Sequence, residues 1–225
     1  FFFAFGTDGT RILPPADAAT RPAPLSPWVR IAPDGNITIL TVTEMGQGSG
    51  TSIPLMIADE MDADWSKVTL EWAPSNPDVY GWPDSSGRRV MTVTGSRAVM
   101  MYWNDLRTAG AQVRKVLIAN AADHWGVDAA TLKTEPSTVV DPKSGKRLSY
   151  GEIAAFGKVP APLPAVDKSE LKARKDFRLI GRSVPRRDLP FKVNGTAQYS
   201  IDVKLPGMVY ASALHSPVSG NAPEK

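Results

Sequence analysis

The chain has 225 residues, 42% hydrophobic and 22% charged, a globular composition that excludes a wholly disordered chain and fits one to two domains. It has no cysteine and only two histidines, which excludes disulfides, thiolate zinc sites, a cysteine nucleophile and iron–sulfur ligation by this chain, and leaves little from which to build a multi-histidine metal centre. The net charge of +3 is too weak to point to nucleic acid.

In chain order, residues 1–27 read as a proline-rich leader. It opens on Phe1-Phe2-Phe3-Ala4-Phe5 without a methionine, as in a processed or shortened chain. Five apolar residues are too few to span a membrane, which takes about 20. They read either as the tail of an export signal or anchor or as a hydrophobic strand end. Trp28 to Ala32 and Ile37 to Thr43, joined by Pro33-Asp34-Gly35-Asn36, predict a hairpin, because Asp-Gly-Asn supplies the positive-φ positions of the turn. A glycine-rich stretch follows, Glu44-Met45-Gly46-Gln47-Gly48-Ser49-Gly50, and after it Ile53, Met56, Ile57, Glu60 and Met61 recur at helical spacing. Asp59, Glu60, Asp62 and Asp64 at the end of that helix read as a solvated face. Val68, Leu70 and Trp72 alternate as a strand, and Ala73 to Gly87 reads as a long loop.

A second helix is predicted from Thr94-Gly95-Ser96-Arg97 to about Asp123, with Ala98, Tyr102, Leu106, Ala109, Val113 and Leu117 on one stripe and Gly126 as its stop. Met100, Met101 and Trp103 read as core or interface, and His124 as a partner for the helix C-terminal dipole. Short strands are expected around Val139. Ser149 with Glu152 has the spacing of a capping box for a short helix through Ala155. Lys192 to Tyr199 and Met208 to Leu214, the latter followed by His215, read as further strands.

Charge divides the chain. Residues 1–156 carry 14 basic and 17 acidic side chains, residues 157–190 carry 9 and 4, and residues 191–225 carry 3 and 2. The middle segment contains Pro160, Pro162, Pro164, Pro185 and Pro190 and reads as an extended basic connector. Its charge is expected to form a solvated face or a strap over a neighbouring subunit. It has little aromatic interleaving for base stacking, so no nucleic-acid partner is expected.

Two stretches have the makings of a binding site. Gly46, Gly48 and Gly50 sit between a strand and a helix, where backbone N–H groups can approach a ligand and the helix start favours phosphate. Gln47 adds a side chain that both donates and accepts. Thr94-Gly95-Ser96-Arg97 opens the second helix with two hydroxyls, backbone donors and a guanidinium. Two such starts could grip one dinucleotide. The spacing matches neither the dinucleotide fingerprint nor the P-loop, and on spacing alone a tight turn, with Thr94 or Ser96 as a helix cap, is the plainer reading.

At these residues the chain resembles the molybdopterin-binding part of the xanthine dehydrogenase/aldehyde oxidase family. The wider context is similar to the large (β) subunits of isoquinoline 1-oxidoreductase and membrane-bound aldehyde dehydrogenase. The resemblance also rests on Leu106-Arg107-x-Ala109-Gly110-Ala111, on Leu148-Ser149-Tyr150-Gly151-Glu152, and on Leu179-Ile180-Gly181-x-x-Val184-Pro185-Arg186-x-Asp188. Lys192-Val193-x-Gly195-x-Ala197-x-Tyr199-x-Ile201-Asp202-x-x-Leu205-Pro206-Gly207-Met208-x-Tyr210-Ala211 resembles the opening of that family's a/b-hammerhead domain. It implies an α+β fold: a mixed α/β molybdopterin-binding segment over 28–156, the connector over 157–190, and the start of a hammerhead over 191–225. It implies an oxidoreductase that holds molybdenum on molybdopterin cytosine dinucleotide and hydroxylates an aldehyde or N-heterocycle with oxygen from water. Electrons would leave through [2Fe–2S] clusters on a small subunit and on to a membrane cytochrome c with haem, in the periplasm. Gly46, Gln47, Gly48, Thr94, Gly95 and Ser96 match cofactor-contacting positions, with Arg97 beside them. The glutamate base at molybdenum belongs to a later part of such subunits, so no catalytic residue or metal ligand is expected here and the remainder of the large subunit is an expected partner. The competing readings are a scaffolding module and a free nucleotide-binding protein.

Overall fold

The computed structural model describes residues 24–221. A four-stranded sheet is ordered β1 (Pro24–Ser26), β2 (Val29–Ile31), β3 (Ile37–Thr41) and β4 (Val68–Trp72). The predicted hairpin is β2–β3, antiparallel with Val29 opposite Ile39. Gly35 takes φ 88° in its turn, where Asp34 Oδ1 accepts the Asn36 N–H at 2.9 Å. β3 and β4 pair in parallel, Ile37 opposite Val68 through Thr41 opposite Trp72. Parallel neighbours need a crossover, supplied by helix α1 (Ser49–Glu60). β1, within the stretch read as leader, pairs with β2 and belongs to this sheet.

Residues 73–87, read as a loop, contain structure of their own. Helix α2 (Pro77–Tyr80) has proline in its first turn, and β5 (Trp82–Pro83) pairs with β6 (Arg89–Val90). Side chains hold this excursion: Trp82 Nε1 donates to the Thr92 carbonyl at 3.0 Å, and the Tyr80 ring meets Trp28 edge-on at 5.0 Å. Helix α3 (Arg97–Trp125) stops at Gly126, whose φ of 66° lets its N–H turn back to the carbonyls of Ala122 and Asp123. His124 lies in the last turn and stacks on Phe156 at 4.5 Å. β7 (Lys133–Glu135), β8 (Thr138–Val140) and β9 (Arg147–Ser149) form an antiparallel sheet. Helix α4 (Tyr150–Phe156) carries the expected capping box of Ser149 and Glu152.

The core lies where α1 packs on β3 and on α3, around the fully buried Ile39, Ile53, Ile57, Leu106 and Val113. The helices cross at Gly110, where a Cβ would lie 2.7 Å from the Ile57 carbonyl oxygen. Met101 and Trp103 pack against this core, whereas Met100 is exposed.

Three expectations are corrected. The acids ending α1 are not all a solvated face: Asp59 and Glu60 are fully buried. Glu60 accepts from Arg107 Nε at 3.0 Å, Arg114 Nη2 at 3.4 Å and the Lys172 N–H at 2.7 Å. Asp59 accepts the backbone N–H groups of Arg178 and Ile180 at 2.9 and 3.0 Å. Carboxylates at a helix C-terminus face the negative end of its dipole, so burial there requires such cations and donors. The connector is therefore a strap over its own domain. Lys172 meets Asp62, Arg178 meets the Ala63 carbonyl, and the Arg187 N–H reaches Thr51 Oγ1 at 3.1 Å, so the strap runs back along α1 from its end to its start. Lys158, Lys168, Arg174, Lys175 and Arg182 do form an exposed basic face.

Third, the strands expected after the connector are absent among the described residues. Leu189–Val193 is the short helix α5, and 203–215 has no regular structure. Ile201, Val209, Tyr210 and Leu214 are at least 77% exposed. A strand pattern needs a neighbour to pair with, and this segment pairs with none of the described sheets. Phe1 to Phe5 lie outside the described residues.

Candidate functional site

The glycine loop leaves the C-terminal end of β3 and enters α1. Gly46 and Gly48 adopt φ 92° and 99°, conformations that only glycine takes without strain. Glu44 folds back over the helix start. Its Oε1 accepts the Gly48 N–H at 2.9 Å, and its Oε2 accepts the Gly50 N–H. A Cβ on Gly50 would collide with this carboxylate. Glu44 thus occupies the anion position at the start of α1, and a phosphate is not free to take it. Gln47 is also engaged: Oε1 accepts the Met45 N–H at 2.7 Å and Nε2 donates to Ser49 Oγ at 2.9 Å. One Nε2 hydrogen remains beyond these bonds.

The start of α3 is different. Gly95 and Ser96 adopt successive left-handed conformations, φ 69° and 60°. Left-handed backbone costs a non-glycine residue about 1–2 kcal/mol. Ser96 occupies the cap position without capping: its side chain makes no cap hydrogen bond to the first N–H groups of α3, and the first turn has no acid. The expected Ser96 or Thr94 cap is therefore not formed. Thr94 Oγ1 pairs with Thr92 Oγ1 at 2.9 Å instead, and the Arg97 guanidinium lies 5.6 Å from the Trp82 ring centre. With N–H groups unpaired and a cation in the first turn, this helix start is the electropositive one.

Between the two turns lies an open cleft of about 410 Å³. Met45, Gln47, Ser49 and Ser52 form one wall; Val93, Gly95, Ser96 and Val99 form the other. Of the seven residues selected from sequence, the cleft gathers Gln47, Gly95 and Ser96 directly. Gly46 and Gly48 shape the loop behind it, and Thr94 and Arg97 stand beside it. Sequence reasoning did not assign Glu44, Arg186 or Asp188. The signal for Glu44 was an acid directly before a glycine-rich helix start, where its charge is best placed.

A model of the molybdopterin cofactor-binding domain matches residues 3–203. The chain belongs to this family. It is similar to the isoquinoline 1-oxidoreductase β subunit of Brevundimonas diminuta, 36% identical over an alignment of 255 positions that covers 99% of this chain and 32% of that protein. It is 36% identical to the membrane-bound aldehyde dehydrogenase (pyrroloquinoline-quinone) of Gluconacetobacter polyoxogenes, over 93% of this chain and 26% of the relative. A solved structure, quinoline 2-oxidoreductase from Pseudomonas putida 86, aligns with a TM-score of 0.44 at 20% identity, over 56% of this chain and 15% of that one. The chain therefore spans about a third or less of the length of the curated relatives it matches.

For the phosphate-bearing molybdopterin cofactor of this family, the cleft fits on its α3 side, where the helix start carries no side-chain cap. On its α1 side the fit is limited to Gln47 and Ser49, because Glu44 has closed the helix start. Among the described residues, no group of three or more His, Cys, Asp or Glu side chains could hold a metal ion, and no helix is long and apolar enough to cross a membrane.

Proposed function

We propose that this chain forms part of the cofactor site in the large subunit of a molybdenum hydroxylase that oxidises an aldehyde or an N-heterocycle with oxygen from water. The observation that carries the reading is the single cleft shared by Gln47 and the uncapped Gly95-Ser96 start of α3. When bound, molybdopterin cytosine dinucleotide supplies the molybdenum ion and a two-electron redox centre. The chain's own part is to receive and orient it. The first N–H groups of α3 and Ser96 Oγ receive the pyrophosphate. Arg97 and the helix dipole add positive potential, and Gln47 offers its remaining donor to a heterocycle edge. Gly46, Gly48 and Thr94 set the two turns.

The rest of the machinery is assigned to partners: the remainder of the large subunit for the catalytic base, a small subunit for the [2Fe–2S] clusters, and a membrane cytochrome c for haem, in the periplasm. A cysteine-free chain supports placing the clusters elsewhere. The exposed apolar residues of 191–221 support reading 191–225 as the opening of a hammerhead whose strands pair with another segment of the large subunit. A structural role for the glycine loop, in a scaffolding or nucleotide-binding module, is favoured by one observation, the internal pairing of Glu44 and Gln47.

Val99→Asp separates the readings. Val99 is 42% exposed on the cleft wall in the first turn of α3. An acid there favours the helix by about 0.3–1 kcal/mol but repels an anionic ligand. The cofactor reading predicts an intact complex that folds at least as well as wild type and retains less than about a tenth of its molybdenum and pterin. Normal cofactor content in the variant, or a wild-type complex containing the quinone and no molybdenum, would sink it.

A further inference from the structure

The strap meets the glycine loop at Arg186. This side chain donates from Nη1 and Nη2 to the Gly46 carbonyl, both at 3.3 Å, and from Nη2 to Glu44 Oε1 at 3.2 Å. Asp188 orients it through a fork-to-fork pair, accepting from Nε at 2.9 Å and from Nη2 at 2.6 Å. Lys192 Nζ braces Asp188 in turn at 2.5 Å. The guanidinium carbon would lie 3.7 Å from a Cβ at Gly48, so the cation lies against the loop backbone.

The loop needs such a brace. Gly46 and Gly48 have no conformational preference of their own to hold φ near 92° and 99°. Glu44, which holds the N–H groups of Gly48 and Gly50, is 9% exposed and has Arg186 as its cation. One planar fork thus binds a loop carbonyl, the carboxylate that closes α1 and an acid further along the strap. A lysine, a point charge, cannot reach all of them at once.

We propose that Arg186 is a positioning residue of the cofactor cleft, fixing the glycine loop so that Gln47 and Ser49 form its wall. The brace itself is read from geometry; its meaning for cofactor retention rests on the function proposed above.

The test uses the full chain in its intact complex, with two readouts: hydrogen–deuterium exchange at the Gly48 and Gly50 amides, and molybdenum retained after dialysis. Arg186→Ala is expected to speed exchange at these amides about tenfold and to raise cofactor loss by a similar factor, and Arg186→Lys to show a smaller effect of about threefold on both. The control is Leu179→Ala, which removes a buried strap side chain away from the loop. It is expected to lower the melting temperature while leaving Gly48 and Gly50 exchange unchanged. Unchanged exchange in Arg186→Ala, or an equal increase in Leu179→Ala, overturns the proposal. If Arg186→Ala does not fold, Arg186→Lys decides it by the same criterion. A wild-type complex without molybdenum and pterin refutes the cofactor reading, while the exchange comparison still decides the brace.

Discussion

Glu60 offers the sharpest test of how the strap is held. Its carboxylate is buried beneath α3 and the strap, serving Arg107, Arg114 and the Lys172 backbone N–H. Glu60→Gln keeps the volume but removes the charge, and its amide NH₂ must face one of these donors. Breaking a buried ion pair by removing one partner costs about 3–5 kcal/mol. The lower end applies here, because Arg107 keeps its bond to the Lys172 carbonyl at 2.5 Å and lies 5.0 and 5.1 Å from the Trp103 and Phe177 ring centres. The expected loss is therefore about 3 kcal/mol. At an m-value of about 2 kcal/mol/M, the urea midpoint falls by about 1.5 M with the slope unchanged. Limited proteolysis between residues 166 and 176 should accelerate in parallel, since the strap loses one of the anchors that hold it at Lys172. A loss below about 1 kcal/mol, the range of exposed surface bridges, would refute the argument that the strap is locked by buried charge.

Two further predictions concern packing and pH. Gly110→Ala places a methyl group 2.7 Å from the Ile57 carbonyl oxygen and 2.8 Å from Glu60 Cβ, forcing α1 and α3 apart. It is expected to cost about 2 kcal/mol and to lower Tm by about 6 °C in a thermal melt, and an unchanged melt would contradict the close crossing. Tyr150 Oη donates to the Met61 carbonyl at 2.5 Å in full burial, and burial above all holds its phenol well above the usual range. The folded protein therefore keeps the phenol neutral above about pH 10, where the unfolded chain ionises, so stability is full below that pH and falls as the pH rises. Tyr150→Phe should lower stability at pH 7 by about 1–3 kcal/mol, through the unpaired carbonyl, and flatten the alkaline decline. An equally steep decline in the variant would place the responsible group elsewhere.

Elements held by local chemistry were legible in the residues themselves. The Asp34-Gly35-Asn36 turn, the Ser149–Glu152 capping box and the Gly126 stop act within a few residues, and the stripes of α1 and α3 repeat at the helical period. The two candidate turns were legible for the same reason, since glycines between a strand and a helix have few other uses. That they face one cleft is a property of the tertiary structure, because it depends on where β3 ends relative to α3, whose start lies some fifty residues further along.

The connector's contacts with its own domain were not legible because charge pairing has no sequence period. Its cations and the acids they meet are more than 100 positions apart, Lys172 from Asp62 and Arg186 from Glu44, and only the fold brings them together. The strands expected after Lys192 failed for a related reason: alternation describes a face, and a face becomes a strand only beside an edge that accepts its hydrogen bonds. By itself the sequence determined the local turns, the helix stripes and the family resemblance. Tertiary structure alone decided that Glu44 closes one helix start, that the other stays open to the cleft, and that Arg186 links the strap to the loop between them. Each of these depends on distance through space, which residue order does not contain.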